Sequence, residues 1–377
     1  MLIWSGICSC WEEQVVTFLL YSAARAEASH AASARFFLPA RRAGSADTFL
    51  QIVAKRIGFT LLQLLVTAAG IYYVFHDPQK RTEIGHALRG ADWRWLALSW
   101  LVYGAVEALA TVRWQILLRV QGIMVSWVRA GMTVTVGLFF NMLLPGLVGG
   151  DAIRLALLFQ NAPRKKLRGT LSVAMDRLLG LASLVVLAAM VGLLRFRWLN
   201  HAARTAHITY LALAILGGAT LGALLVFGVM GTRTLPRRLP FRHGIVEIGK
   251  ALHLYREHPT MIVSAFLLTI FSHLAYYISY YCALRSLPSP PGGEPPMIDF
   301  LSIMPLVNTI TGVPISFGGV GVRETLFQTL LGQLAHVPPA LAAISATLGY
   351  AVQASWGMVG GVAYLLMRPA RASAGRR

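Results

Sequence analysis

The chain has 377 residues, of which 56% are hydrophobic and only 13% are charged. About a quarter of the residues in a soluble globular protein are charged, so this composition excludes an ordinary soluble enzyme. The formal net charge of +19 would suggest a nucleic-acid partner for a soluble chain. Here the basic residues lie mostly between long apolar blocks, with no basic surface interleaved with aromatic side chains, so we expect no nucleic-acid binding.

The N-terminal segment differs in composition from the remainder of the chain. Residues 23–46 are rich in Ala, Ser and Arg, and the apolar stretch 15–21 is too short to cross a bilayer. The segment lacks the basic start, apolar core and small-residue cleavage site of a signal peptide. We predict an arm over 1–54, either disordered or introduced by an upstream start codon, then a transmembrane domain over 55–368 and a short basic tail over 369–377.

Six apolar stretches are long enough to cross about 30 Å of hydrocarbon as helices. In chain order they are Ile57–Phe75, Trp95–Val112, Leu171–Leu194, Ile208–Met230, Met261–Leu284 and Leu341–Met367. Two further apolar regions, Gly131–Phe159 and Phe300–Leu334, are interrupted by Leu144-Pro145-Gly146 and by Phe317-Gly318-Gly319. Because clusters of Pro and Gly break helices, each region is predicted to be a re-entrant helical hairpin. The predicted fold class is an all-α polytopic membrane protein with six spans and two hairpins.

Loop charge sets the predicted orientation of these elements. With a cytoplasmic N-terminus and two re-entrant hairpins, the inner loops and tail carry about twice as many Lys and Arg residues as the outer loops. This is the bias found in proteins of bacterial inner membranes. We therefore predict a multi-pass inner-membrane protein with both termini in the cytoplasm.

The two interrupted regions share one sequence pattern, Pro-x3-Gly-Gly-x3-Arg. The first copy runs from Pro145 to Arg154 and the second from Pro314 to Arg323. Three predicted spans separate the copies, so the second hairpin enters from the opposite face and the two form an inverted repeat. Transporters often place the substrate between such repeats, where broken helices expose backbone N–H and C=O groups.

Ionisable side chains within these apolar regions indicate the candidate site. A charge near the bilayer centre costs at least about 2.5–3.5 kcal/mol, so such groups are usually paired or functional. Arg154 and Arg323 are predicted to bind an anionic headgroup phosphate, helped by Gly-rich backbone amides and helix N-termini. The alternative is that the charges only pair with one another and hold the broken helices together. That alternative stays open for three acidic residues, Asp151, Asp176 and Glu324.

The complete predicted substrate-binding set is drawn from both motifs and the span that follows the first one. It comprises Arg154, Arg323, Asp151, Glu324, Asn141, Gly149, Gly150, Gly318, Gly319, Ser316, Asp176 and Arg177. No catalytic residue, metal ligand or cofactor is predicted. The cysteines form no zinc pattern, and no Gly-x4-Gly-Lys-Ser/Thr nucleotide-binding motif occurs.

Three other features receive structural interpretations. Glu107 is predicted to be a structural charge within a span. A polar-aromatic row at helical spacing is predicted to pack between helices: His273, Tyr276, Tyr277, Tyr280 and Tyr281. Arg113-Trp114 is predicted to be an anchor at the membrane interface.

The motifs together resemble a known family. They are Arg113-Trp114, Asn141-x3-Pro145-Gly146, Gly149-Gly150-Asp151-x2-Arg154, Asp176-Arg177 and Pro314-x-Ser316-x-Gly318-Gly319-x-Gly321-x-Arg323-Glu324. This set is similar to that of the lysylphosphatidylglycerol synthase transmembrane, or flippase-like, family over roughly residues 55–367. The resemblance implies a plasma-membrane protein related to the lipid-flipping half of bifunctional aminoacyl-phosphatidylglycerol synthases. Those synthases carry a large soluble C-terminal domain, whereas only residues 368–377 follow the last predicted span, so we expect no aminoacyl transfer.

The predicted function is translocation of an anionic or zwitterionic lipid, or a lipid-linked precursor, between leaflets. Its predicted partner is the phosphate of a membrane lipid headgroup, and no enzymatic activity is expected. The alternative is a membrane enzyme or accessory subunit acting on a lipid-linked phosphate, with Asp151, Asp176 or Glu324 as acid, base or metal ligand. A scaffold that assembles lipid-biosynthesis enzymes is a further alternative.

Overall fold

The protein is described by a computed structural model that covers residues 78–143, 149–231, 253–290, 293–313 and 315–367, with single positions at 61, 65, 68, 72 and 249. Regular structure in these ranges is helical, without a strand. The helices with defined bounds are α1 Pro78–Arg89, α2 Trp93–Val120, α3 Trp127–Leu143, α4 Gly149–Asn161, α5 Lys166–Leu199, α6 Ala203–Gly231, α7 Pro259–Arg285, α8 Met297–Thr311, α9 Val322–Ala335 and α10 Pro339–Leu366.

Four of these helices, α2, α5, α6 and α7, are long and apolar enough to cross a membrane. Each contains one of the predicted spans, so the prediction of a long apolar helix at these four places is confirmed. The sixth predicted span corresponds to α10, which has 28 residues and is not one of these four helices. The predicted first span Ile57–Phe75, the arm 1–54 and the tail 369–377 lie outside the described residues.

Each of the two interrupted apolar regions contains two short helices in place of one long helix. In the first region α3 and α4 pack against each other, and residues 144–148 between them lie outside the described ranges. In the second region α8 and α9 are in contact and are joined through a single 3₁₀ turn, Phe317–Gly319. The prediction that each region contains two helices rather than one is therefore confirmed.

The centre of the bundle is the contact between α2 and α7, which small polar side chains hold together. Ser99 Oγ donates to the Ser279 carbonyl at 2.8 Å, and Ser279 Oγ donates to the Ser99 carbonyl at 3.0 Å. Small residues let membrane helices approach closely, and hydrogen bonds between helices stabilise that contact. This reciprocal pair fixes the register of α2 against α7.

An aromatic cluster packs α9 against its neighbours. Phe327 on α9 lies 5.8 Å from Phe300 on α8 and 6.1 Å from Tyr280 on α7, measured between ring centroids. All three side chains are fully buried. Aromatic pairs at these separations add about 0.5–1.5 kcal/mol each beyond their buried area, so α9 is held firmly beside α7.

Glycines allow α3 to lie directly against two other helices. A Cβ on Gly150 of α4 would lie 2.1 Å from the Gly137 carbonyl oxygen of α3. A Cβ on Gly360 of α10 would lie 2.0 Å from the Thr135 carbonyl oxygen of α3. Since backbone atoms cannot move aside like a side-chain tip, any larger residue at either glycine forces the helices apart.

Substituting Gly360→Ala should therefore destabilise the protein, by about 1–3 kcal/mol, because overpacking a close contact strains the backbone. The change in unfolding free energy can be measured by circular dichroism during denaturation in detergent micelles. Gly192→Ala on α5 is the matched control, because no atom lies within 4 Å of its added Cβ. That control should gain about 0.5–1 kcal/mol from helix propensity, and equal stability changes in the two variants would contradict this packing.

Candidate functional site

Five charged side chains, all but Arg177 buried or largely buried, meet where α2, α4 and α5 pack together. Asp176 on α5 accepts a hydrogen bond from Arg113 Nε at 2.6 Å and lies 3.4 Å from Arg154 Nη1. Asp151 on α4 accepts from Arg177 Nε at 2.7 Å and from Arg177 Nη2 at 2.8 Å, and it lies 3.3 Å from Arg154 Nη1. These five side chains form the arginine–aspartate cluster. Asp151 and Arg154, three residues apart on α4, therefore pair on one face of that helix.

Three arginines and two aspartates give the cluster one net positive charge when all five are ionised. Arg154 is its most deeply placed cation, with 8% of its side chain exposed. Its guanidinium carbon lies 4.6 Å above the Trp114 ring, and its Nε has no hydrogen-bond partner among the described residues. Arg154 is therefore engaged by two carboxylates and one aromatic face, yet it keeps an unused donor.

The interpretation of Arg113-Trp114 as an interfacial anchor is wrong. Trp114 is fully buried beneath Arg154, and Arg113 makes the shortest hydrogen bond of the arginine–aspartate cluster. Asp176 has only 4% of its side chain exposed. Because a buried carboxylate is costly without opposite charge, the arginine is drawn inward to the aspartate rather than outward to the headgroups.

Three predicted site residues, Asn141, Gly149 and Gly150, shape the backbone beside this cluster. Asn141 near the end of α3 accepts a hydrogen bond from the Gly150 N–H at 2.9 Å. Gly149 and Gly150 begin α4, and Gly150 lies directly against the backbone of α3. Their contacts fasten α4 to α3, which sets the position of Asp151 and Arg154.

The break in the second interrupted region is a glycine turn. Gly318, Gly319 and Gly321 have φ angles of 62°, 76° and 83°, in the left-handed region that favours glycine. Glu324 Oε2 accepts from the Gly321 N–H at 2.6 Å and so closes the first turn of α9. A Cβ on Gly318 would also lie 2.5 Å from the Tyr350 hydroxyl oxygen, so the turn packs directly on α10.

Arg323 follows this turn and is buried, with 5% of its surface exposed. Its Nη2 donates to the Gly318 carbonyl at 3.0 Å, and its guanidinium carbon lies 4.7 Å from the Tyr350 ring centre and 5.9 Å from that of Tyr280. No ion pair joins it to an acidic side chain in the described part of the chain, and its Nη1 is buried without a hydrogen-bond partner there. A cation in the first turn of a helix also opposes the helix dipole.

Other polar groups around Arg323 are also unsatisfied. The Ser316 hydroxyl in the same turn and the Tyr280 hydroxyl are buried, with no hydrogen-bond partner in the described ranges. Hydroxyl and guanidinium N–H groups can all donate to the oxygens of an anion. We call the following set the Arg323 site: Ser316, Gly318, Gly319, Tyr280, Arg323 and Tyr350.

The twelve residues of the predicted set therefore fall into two groups. Those around the first break are Asn141, Gly149, Gly150, Asp151, Arg154, Asp176 and Arg177, and those around the second are Ser316, Gly318, Gly319, Arg323 and Glu324. Sequence reasoning missed the contributions of Arg113, Tyr280 and Tyr350. Tyr280 belonged to the aromatic row on α7, which does pack between helices, but its contact with Arg323 required the fold. No local pattern around Tyr350 indicates its position beside the glycine turn.

Asp176→Asn should destabilise the protein by about 3–5 kcal/mol, because it removes the shared counter-charge of Arg113 and Arg154 inside the bundle. Thermal unfolding of the purified protein in detergent, followed by light scattering and size-exclusion chromatography, measures the loss. Glu257→Gln is the control, because this exposed carboxylate forms an ion pair only with His253 in the described residues. The control should change the free energy of unfolding by less than about 0.5 kcal/mol. An Asp176→Asn variant as stable as this control would contradict the pairing.

A comparison with curated proteins finds no match for the chain. The family described as the lysylphosphatidylglycerol synthase TM region matches residues 30–360. This range includes both breaks, the arginine–aspartate cluster and the Arg323 site, so the resemblance noted from the motifs is confirmed. The chain belongs to the lysylphosphatidylglycerol synthase transmembrane-region family.

Proposed function

We propose that this protein translocates a lipid with a phosphate-bearing headgroup between the two leaflets of a bacterial-type inner membrane. Family membership and the four membrane-length helices support a role with membrane lipids. The observation that carries the proposal is Arg323, a buried cation to which no described residue supplies an anionic partner. Its missing counter-charge is the headgroup of the transported lipid.

A guanidinium group is hard to retain in this environment without an anion. Its neighbours are a backbone carbonyl and two aromatic faces, which stabilise a cation but do not neutralise it. A phosphate placed there would accept from Arg323 Nη1 and from the Ser316 and Tyr280 hydroxyls, and it would face the N-terminus of α9. One phosphate would thus satisfy both the unpaired charge and the unused donors.

The two breaks would act as oppositely oriented re-entrant hairpins of one inverted repeat, with both chain termini in the cytoplasm. The shared Gly-Gly-x3-Arg pattern and the placement of Arg154 and Arg323 on aromatic faces support this equivalence. Their ionic environments differ: two aspartates engage Arg154, whereas Arg323 has none among the described residues. In this conformation the Arg323 site would be ready for a headgroup, and the Arg154 site would open when its aspartates release it.

An enzyme acting on a lipid-linked phosphate is less well supported by the contacts of the three acidic candidates. Asp151 and Asp176 are each held by two arginines, and Glu324 accepts from the Gly321 backbone N–H. Carboxylates fixed in this way are poorly placed to bind a metal ion or to take a proton from substrate. Within the described ranges, no three His, Cys, Asp or Glu side chains are grouped as metal ligands would be.

Arg323→Ala should reduce lipid translocation by about ten- to a hundredfold, the equivalent of losing charge-assisted hydrogen bonds of about 1.5–3 kcal/mol. The measurement is the rate at which labelled phospholipids become accessible to a membrane-impermeant quencher in proteoliposomes. A panel of anionic and zwitterionic lipids identifies the substrate class. Arg154→Ala should also abolish transport, because its guanidinium would receive the headgroup at the other site.

Arg256→Ala is the matched control, since this arginine is exposed and lies outside both sites. It should translocate lipid at the wild-type rate, and all variants should elute from size-exclusion chromatography like the wild type. Normal transport by both Arg323→Ala and Arg154→Ala would contradict the headgroup role. Appearance of a chemically altered lipid in the same vesicles would instead favour the enzyme.

A further inference from the structure

Glu107 is a buried carboxylate that belongs to neither of the two candidate sites. It lies in the middle of the 28-residue helix α2 and is 9% exposed. Its backbone carbonyl accepts from Thr111, but no ion pair or hydrogen bond joins its carboxylate to a described residue. An ionisable group in the interior of a membrane bundle is usually part of a substrate, ion or proton pathway.

The position of Glu107 relates it to both candidate sites. On one side, Trp114 lies two helical turns further along the same face of α2, and the guanidinium carbon of Arg154 lies 4.6 Å from its ring centre. One helical turn away on the same face is Tyr103, a buried side chain. Tyr103 is in turn subject to the charges of both Glu107 and Arg323. The face of α2 that carries Glu107 therefore extends from the contact between Trp114 and Arg154 to Tyr103 and the tyrosine next to it on α7.

Tyrosines continue this polar face from α2 to the Arg323 site. The Tyr103 ring lies 6.2 Å from Tyr276 on α7, and Tyr276 lies 4.8 Å from Tyr280. Tyr280 contacts Arg323. A headgroup that moved between the two arginines along these tyrosines would pass the face of α2 that carries Glu107.

The helices packed against α2 supply few other titratable groups in their described residues. From α4 and α5 come the members of the arginine–aspartate cluster, and from α7 come His273, Tyr276, Tyr277 and Tyr280. The remaining neighbours, α3 and α10, contribute only the exposed Arg129 and the tyrosines Tyr350 and Tyr364. Glu107 is thus the only carboxylate on these described faces that is not already paired with an arginine or a backbone N–H.

The ionisation of Glu107 changes the net charge of the arginine–aspartate cluster and its surroundings. The arginine–aspartate cluster carries one net positive charge, which ionised Glu107 neutralises. A phosphodiester headgroup carries one negative charge and would neutralise the same excess, while an ionised Glu107 would repel it. The headgroup and the Glu107 charge are therefore alternatives.

We infer that Glu107 is a proton-binding site that couples headgroup movement to protons, an inference that rests on the proposed translocation. A proton from water binds a Glu107 oxygen as the anionic headgroup enters, so that the cluster and its ligand remain neutral together. The proton returns to water when the headgroup leaves, and the carboxylate again balances the arginines. Each transport step then moves one proton with one headgroup charge.

The test is the rate of translocation of labelled phosphatidylglycerol in proteoliposomes of phosphatidylcholine and phosphatidylglycerol, with equal pH on both sides. In the wild type the rate should fall by about tenfold or more as pH rises from about 5 to about 9, where a carboxyl group changes from protonated to ionised. Glu107→Gln resembles the protonated state, so it should transport at the fast rate and show no pH dependence. A pH indicator trapped in wild-type vesicles should report one proton taken up per lipid moved.

Glu257→Gln is the matched control, because it removes an exposed carboxylate far from these helices' buried faces, and it should keep the wild-type pH dependence. Glu107→Asp keeps a carboxyl group and should also remain pH-dependent, which covers the case in which Glu107→Gln does not fold. A wild-type translocation rate that does not change with pH, without proton uptake, would overturn the coupling and leave the proposed translocation intact. Absence of translocation by the wild type at every pH would overturn both, and an unchanged pH dependence in Glu107→Gln would overturn the role of this residue.

Discussion

The neutralisation of guanidinium groups among apolar helices is the constraint on which this structure depends. Arginine keeps its charge under all ordinary conditions, so each buried arginine needs an anion or a very favourable set of dipoles. The chain meets this need in two ways. Around Arg154 it supplies two aspartates and a tryptophan face. Around Arg323 it supplies a carbonyl and two tyrosine faces, and no carboxylate of the described residues forms an ion pair with it.

The backbone around each arginine follows from the same constraint. Placing a cation at a break requires helix ends inside the bundle, and helix ends leave N–H and C=O groups that need partners. Asn141 binds the Gly150 N–H at the first break, and Glu324 binds the Gly321 N–H at the second. The glycines permit the left-handed turn and the close helix contacts that bring these partners within reach. At the second break the buried donors of Arg323, Ser316 and Tyr280 have no hydrogen-bond partner among the described residues, and these are the donors that the proposed headgroup would bind.

Much of this arrangement was predictable because it is local in sequence. Apolar length predicted four of the long helices, and the Pro and Gly clusters predicted two helices in each interrupted region. The three-residue spacing of Asp151 and Arg154 places them on one helical face, where they pair. The pairing of Arg113 could not be found in this way, because its partner Asp176 lies 63 positions along the chain. No sequence pattern indicates that Tyr350 lies beside Arg323, since this contact forms only because the glycine turn packs against α10. Long-range packing between helices, rather than local propensity, decides these contacts.

The central claim is that a lipid phosphate is the missing counter-charge of Arg323, and lipid-dependent thermal stability tests it most directly. Wild type and Arg323→Gln would be heated in detergent with increasing amounts of a short-chain phosphatidylglycerol. A ligand that binds only the folded state stabilises it by about 2.7 kcal/mol at a hundred times its Kd. The account predicts that the Tm of the wild type rises with lipid, while that of Arg323→Gln does not. An equal rise in both proteins would show that the phosphate does not bind Arg323.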